Sequence, residues 1–360
     1  MVSTEENSLL REPSVSVEPL YCLLDMCSRN YKLFCTICTA VKIGLFDKLV
    51  APKDVSELAA EVGNDPGLLS SICEVLEAAG FLQEVDGCYQ NSAVSALYLR
   101  ADSCYCQHEV LQNLQNGFAL WMKLGDVLAG GPLKVHEEDF FQDNLIHSLA
   151  AEALTRELPR TAAIIAQRPE FREAKRLLDL GGGHGLYAVA LTRLNPNLQA
   201  YIFDFPEVLR DTEAYLRMFA ADRVTLIPGN LFQDDFGDRY DMIFFSYSPG
   251  GKNCSLVPRI QSSLNNGGLF ISKHAFYQSG EESKNPLLDI EWQLSSFEGV
   301  EKGNSVYSFA GDLTIEEYLK LLNSYFSIEL IVAAEDFAGY PLSKIGDTLD
   351  SKLIICKKQI

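Results

Sequence analysis

The sequence predicts a two-part α/β protein, a mostly helical N-terminal half carrying a winged helix followed by an open, doubly wound parallel sheet. Three observations predict it. Short β-branched and aromatic runs alternate with helical patterns after residue 174. A glycine-rich turn joins one of those strands to a helix. Earlier in the chain, two helical patterns and a hairpin follow one another without a break. A chain of 360 residues also exceeds what one ordinary core holds. The expected divisions are 1–105 for the winged-helix part, 106–174 for a helical bridge lining a pocket, and 175–360 for the sheet.

Residues 20–49 read as a long apolar helix and a shorter one, apolar enough to require burial on several sides, as a subunit interface would provide. Asp54 or Ser56 can cap a helix through Ala60, and residues 63–67 make a turn. A second helix spans 68–79 and stops at Gly80. Strands 81–85 and 88–91 flank the hairpin dipeptide Asp86-Gly87, which completes a winged helix. From Cys106 to Gln167 further helices pass Trp121, Phe140 and Phe141. Beyond them, strands are expected at 176–180, 199–203, 224–227, 241–246 and 268–273. Helices are expected at 186–194, after Pro206 and at 315–323, and strands near 328–332 and 352–356 form an antiparallel hairpin at one edge.

Composition removes several functions. A formal charge of −19 opposes duplex nucleic acid, and the second helix of the winged motif carries two glutamates and no Lys or Arg. A scaffold or dimerisation role therefore fits that motif better than DNA reading. No run reaches the ~18 apolar residues of a membrane span, and the acidic start lacks a basic, apolar leader, so a cytoplasmic location is expected. Ten cysteines then suggest a reducing compartment. Cys35 and Cys38 lie in an apolar helical run and are expected to be buried structural thiols. The Cys104-Tyr105-Cys106 pair has no matching ligands, and no metal site is expected.

The strongest local signal is Leu177-Leu178-Asp179-Leu180-Gly181-Gly182-Gly183-His184-Gly185. Glycines are needed where the backbone turns sharply and a ligand lies against it, and a helix N-terminus follows. Gly183, Gly185 and Ala188 fit a dinucleotide fingerprint. Asp179, Gly181, Gly183 and Gly185 fit the alternate-glycine loop of adenosylmethionine enzymes. An acid at the strand end repels a pyrophosphate and favours a sulfonium and an ammonium, so S-adenosylmethionine is the expected cofactor. Asp204, about twenty residues on, suits the ribose hydroxyls or a helix cap before Pro206. Asn230 and the Leu231 N–H, beside Phe232, suit adenine in kind.

The series LLDLGGGHG, YIFDFPEV, IPGNLF and YDMIFFSYS resembles the small-molecule O-methyltransferases that include caffeate and acetylserotonin methyltransferases. The stretch from AVKIGLFDKL to AAGFL resembles their winged-helix dimerisation domain, and the likeness runs from about Tyr21 to Ile355. It implies a homodimer, a class I methyltransferase sheet with a reversed last strand, and a small-molecule acceptor. By position, Gly181 and Gly183 would hold the methionine end, Asp204 the ribose, and Asn230 with Leu231 the adenine. Ser246 and Tyr247 would line the cofactor.

Members acting on phenols usually carry Asp in place of Asn230, Lys or Arg in place of Ser246, and a basic histidine after that strand. Here the segment reads SYSPGGKNC, with Gly250 or Tyr247 at the histidine's place. His274, expected on the rim after strand five, is the candidate replacement base. His184 in the glycine loop is expected to face cofactor or solvent. Asp289, Glu291 and Trp292 with Phe118, Trp121 and Phe141 are candidate pocket residues. The alternative is a relative that binds S-adenosylmethionine without methylating, in a different reaction or a regulatory role.

Overall fold

In the computed structural model the described residues are 12–136, 145–248, 250–298, 301–338 and 350–359. They cluster into two compact units, 1–108 and 109–360, so most of the expected bridge belongs to the second.

The first unit begins with α1 (Glu18–Lys42) and α2 (Leu45–Lys48). α3 (Val55–Val62) is capped by Asp54, whose carboxylate accepts the Ser56 and Glu57 N–H groups at 2.8 and 2.9 Å. Asp65 does the same for α4 (Pro66–Ala78) through Leu68, with proline just inside the helix. Strands β1 (Leu82–Val85) and β2 (Cys88–Asn91) pair antiparallel. Asp86 and Gly87 between them both have positive φ, as the tight hairpin turn requires. α5 (Ala93–Tyr98) follows, and Leu45, Phe46, Leu58, Leu69, Cys73 and Leu76 form the core. α1 leaves open, in this single chain, the apolar surface that the sequence reading assigns to a subunit interface. Only Ala40 of that helix is buried, Leu20, Leu23 and Leu24 are half exposed, and Cys35 is exposed rather than buried.

The second unit contains α6 (His108–Trp121), which starts at the boundary, then α7 (Leu124–Gly130), β3 (Leu133–His136), α8 (Leu145–Thr155), α9 (Glu157–Ala166) and α10 (Pro169–Glu173). The sheet elements follow: β4 (Arg176–Leu180), α11 (Leu186–Leu194), β5 (Gln199–Asp204), α12 (Pro206–Met218), β6 (Val224–Pro228) and β7 (Tyr240–Ser246). They continue as α13 (Leu256–Ser263), β8 (Leu264–Ala275), α14 (Pro286–Gln293), β9 (Ser295–Glu298), α15 (Ile315–Asn323), β10 (Phe326–Ala333), α16 (Ala334–Phe337) and β11 (Ser351–Lys358).

Seven strands form one sheet in the order β10-β11-β8-β7-β4-β5-β6. The pairs β4–β5, β4–β7, β5–β6 and β7–β8 are parallel, and β11 runs antiparallel to both β8 and β10. The change of direction in connection falls between β4 and β7, and the β4 carboxyl end is where ligands sit in such sheets.

The pleat sorts side chains onto two faces with period two. Leu177, Leu269, Ile271 and Leu353 pack on one face with Ile165 and Leu191; Leu178, Phe270 and Ile354 pack on the other with Ile260, Tyr318 and Leu322. Each fully buried leucine, isoleucine or phenylalanine contributes about 1.5–3 kcal/mol from removal of apolar surface from water. The same parity carries Lys273 to the face of α9 and α11 and His274 to the face of α15. A separate two-stranded parallel pair, β3 with β9, was not expected from the sequence.

Candidate active site

The turn after β4 is built for close approach. Gly181, Gly183 and Gly185 all have positive φ. A Cβ on Gly185 would lie 2.6 Å from Ile202 Cδ1, and one on Gly181 would lie 2.6 Å from Ser248 Oγ. Any side chain there would displace the neighbouring strand or the segment that leaves β7. The Gly181 N–H donates to the Phe203 carbonyl at 2.8 Å, which ties the turn to β5.

Asp204, the last residue of β5, accepts the Gly183 N–H on Oδ2 and the Phe205 N–H on Oδ1, each at 2.8 Å. The helix-cap alternative is thereby corrected: Phe205 occupies the cap position of α12, which has no side-chain cap. Each Asp204 oxygen keeps a second lone pair. Burial pushes Asp204 up to about 6 against the pull of the two amides. Asp179 is 2% exposed, and its Oδ2 has no hydrogen-bond partner among the described residues. Burial, then the Asp204 charge, pushes it up to about 7.

Asn230 forms a side-chain turn of its own. Its Oδ1 accepts the Phe232 N–H at 2.9 Å, and its N–H donates to Asp234 at 2.7 Å. The Phe232 ring, half exposed, closes on Gly250, where a Cβ would meet its Cζ at 2.5 Å. After Ser246 at the end of β7, Tyr247 takes φ 50° and is 41% exposed. Its N–H donates to the Lys273 carbonyl at 2.9 Å. Gly181–Gly185, Asp204 and the segment from Tyr247 to Ser248 are thus brought together at the carboxyl ends of β4, β5 and β7.

His184 is nearly buried rather than solvent-facing. Its Nδ1 accepts the Leu186 N–H at 3.1 Å, and burial lowers its pKa to about 4. His274 also departs from expectation: it is 2% exposed, under the rim rather than on it. Its ring meets Phe245 edge-on at 5.1 Å, and a Cβ on Gly251 would lie 2.2 Å from its Cε1. Only a glycine lets the chain pass over that ring. Its Nε2 has no partner among the described residues. Burial first, then Lys252 and Lys273, hold its pKa well below the usual imidazole range. Lys252 pairs with Asp312 at 3.1 Å in a buried contact.

One further group, around Lys273, was not picked out from the sequence. Lys273, 0% exposed, donates to Glu157 on α9 and, at 2.5 Å, to the Tyr187 hydroxyl on α11. Its ammonium also sits 4.7 Å from the Tyr247 ring centroid. The sole hint was a lysine inside an apolar strand run; its partners lie 116 and 86 residues away. In the insertion after β8, Glu291 accepts the Trp121 indole N–H at 2.6 Å rather than facing water, and Trp292 meets Tyr307 at a tilt and Phe309 edge-on. Phe118 is 40% exposed, and Phe140 and Phe141 lie outside the described residues.

An orphaned buried carboxylate oxygen beside a backbone cradle, with a second carboxylate one strand away, fits a cationic nucleoside and disfavours a diphosphate. The fold and this turn define a class I, S-adenosylmethionine-dependent methyltransferase. Known proteins agree. Residues 134–305 match the O-methyltransferase domain and residues 25–101 the O-methyltransferase dimerisation domain. The chain is 33% identical to uncharacterized protein MJ0086 of Methanocaldococcus jannaschii, over 97% of this chain and all of that one. It is 28% identical to L-tyrosine C(3)-methyltransferase of Streptomyces lavendulae over 40% of this chain and 39% of the other. Human N-acetylserotonin methyltransferase in complex with SAM shares the fold at a TM-score of 0.64 and 19% identity, covering 97% of this chain and 100% of that one. The chain belongs to the O-methyltransferase family and uses S-adenosylmethionine to methylate a small molecule.

Proposed function

We propose that this enzyme methylates an oxygen or carbon nucleophile of a small aromatic acceptor, with His274 as the base that replaces the family's histidine. The observation that carries the reading is the bare, buried Nε2 of His274 beneath Gly251, in the segment where the usual base is lost. Burial keeps the imidazole neutral at pH 7, so the Nε2 lone pair is open, and the same burial makes it a weaker base than a solvated histidine. The carbon option draws support from the similarity to a tyrosine C-methyltransferase.

S-adenosylmethionine, when bound, supplies an electrophilic methyl group on sulfonium for in-line displacement. Gly181 and Gly183 would hold its methionine end, Asp179 would offer its unpaired oxygen to positive charge, and Asp204 would accept ribose hydroxyls. Asn230 and Leu231 would meet adenine, while Ser246 and Tyr247 would line the cofactor. Much of the rate then comes from holding nucleophile and methyl in contact. Pairing through α1 into a homodimer is supported by the dimerisation-domain match and the exposed leucines of that helix. Ten unpaired cysteines support a cytoplasmic location.

His274→Gln tests the reading. With a hydroxyl acceptor found by methyl-labelled cofactor and mass spectrometry, kcat should fall by about 10²-fold or more. S-adenosylhomocysteine affinity should stay within twofold. An unchanged kcat removes His274 from the mechanism.

A further inference from the structure

Asp179 is the next-to-last residue of β4, with Leu180 between it and the glycine turn, and its side chain is aimed into that turn. A Cβ on Gly182 would come within 2.9 Å of its Cγ and 3.1 Å of its Oδ2. Asp204 approaches the same turn from the adjacent strand, through its bond to the Gly183 N–H. The register sets Asp179 opposite Ile202, so Asp204, two residues further along β5, falls on the same face of the sheet, and both carboxyl groups reach the turn. One is almost wholly out of water, and its Oδ2 is bare.

Two carboxylates so placed cannot both ionise freely, because each charge raises the cost of the other and burial penalises both. The groups facing Asp179 are Asp204 from β5, the Ala188 N–H from α11 and, at longer range, Lys273 from β8. Lys273 is already engaged with Glu157. Among the described residues, no free cation is therefore set against the pair. S-adenosylmethionine brings one, and its demethylated product has one positive charge fewer.

We propose that Asp179 and Asp204 form a proton-linked counter-charge, which ionises when S-adenosylmethionine binds and takes a proton back once the sulfonium charge is gone. The proposal rests on the placement of the cofactor against Gly181–Gly185. A ligand that favours the ionised pair lowers its pKa values in the complex. With free values of about 7 and about 6, affinity is lost as pH falls through 7 and levels off above it. The dissociation constant for S-adenosylmethionine should rise about tenfold from pH 8 to pH 6. That for S-adenosylhomocysteine should rise about threefold or less.

Isothermal titration of the full chain at pH 6.5, in two buffers of different ionisation enthalpy, counts the protons directly. The expected result is release of about one proton per S-adenosylmethionine bound. S-adenosylhomocysteine should release less than half as many, and Asp179→Asn should lower the S-adenosylmethionine count to about 0.3 or less. Binding without proton release in the wild-type protein overturns the proposal whether or not the variant folds. Absence of binding by either nucleoside instead overturns the placement of the cofactor on which it rests.

Discussion

Lys273 offers the most direct test of how the site is held. Its ammonium is 0% exposed, and the Glu157 side chain is 18% exposed, so neither charge is well hydrated once its partner is gone. Lys273→Met leaves a largely buried carboxylate beside the Tyr187 hydroxyl, and Glu157→Gln leaves a wholly buried ammonium. Breaking a buried pair from one side costs about 3–5 kcal/mol. Partial exposure of Glu157 places Lys273→Met at the lower end, about 3 kcal/mol. For a unit of this size that corresponds to a fall in Tm of roughly 6–12 °C.

Both tryptophans, Trp121 and Trp292, lie in the unit 109–360, so intrinsic tryptophan fluorescence follows that unit alone. The double variant Lys273→Met/Glu157→Gln removes both charges and should lose no more than the worse single variant, a coupling of at least about 2 kcal/mol. A Tm shift under about 2 °C for Lys273→Met, or a double variant equal to the sum of the singles, would refute the claim that this pair is buried and mutually compensating.

Asp204→Ala removes the acceptor of the Gly183 N–H as well as the expected ribose partner. Titration should show S-adenosylhomocysteine bound at least about tenfold more weakly, and an unchanged dissociation constant counts against the assignment. Leu24→Asp puts a charge on the exposed apolar face of α1. Light scattering should give about twice 40.0 kDa for the wild-type chain and 40.0 kDa for the variant, and a dimer in both would move the interface elsewhere.

Much of the sheet was legible because buried parallel strands read as continuous apolar runs between turns. Strand 176–180 and the helices 186–194 and 315–323 match the expected limits. The glycine turn was legible too, since a positive-φ turn admits few residue types, and Asp179 and Asp204 stood out as acids in apolar strand runs. β3 and β9 escaped because LKVH and SSFE are four-residue runs too short to mark a strand pair. The start of β8 escaped because Asn265-Asn266-Gly267-Gly268 reads as a turn, whereas the chain passes through it with a register shift against β7. Burial of His274 and the partners of Lys273 depend on which distant segments meet, and no local pattern carries that. α1 is the opposite case: its apolar surface was plain in the sequence, but one chain alone leaves it half in water.

The position of β11 has a consequence for how the molecule is made. Among the described residues β10 pairs only with β11, and β11 in turn zips against β8 from Ser351–Ala275 to Lys357–Leu269. During synthesis β8 therefore waits some eighty residues with one row of amides and carbonyls open, and β10 emerges with nowhere to dock. Such late, long-range closure is intrinsically slow. A nascent chain halted before residue 351 would expose an apolar sheet edge, which makes the unfinished molecule a natural client for chaperones.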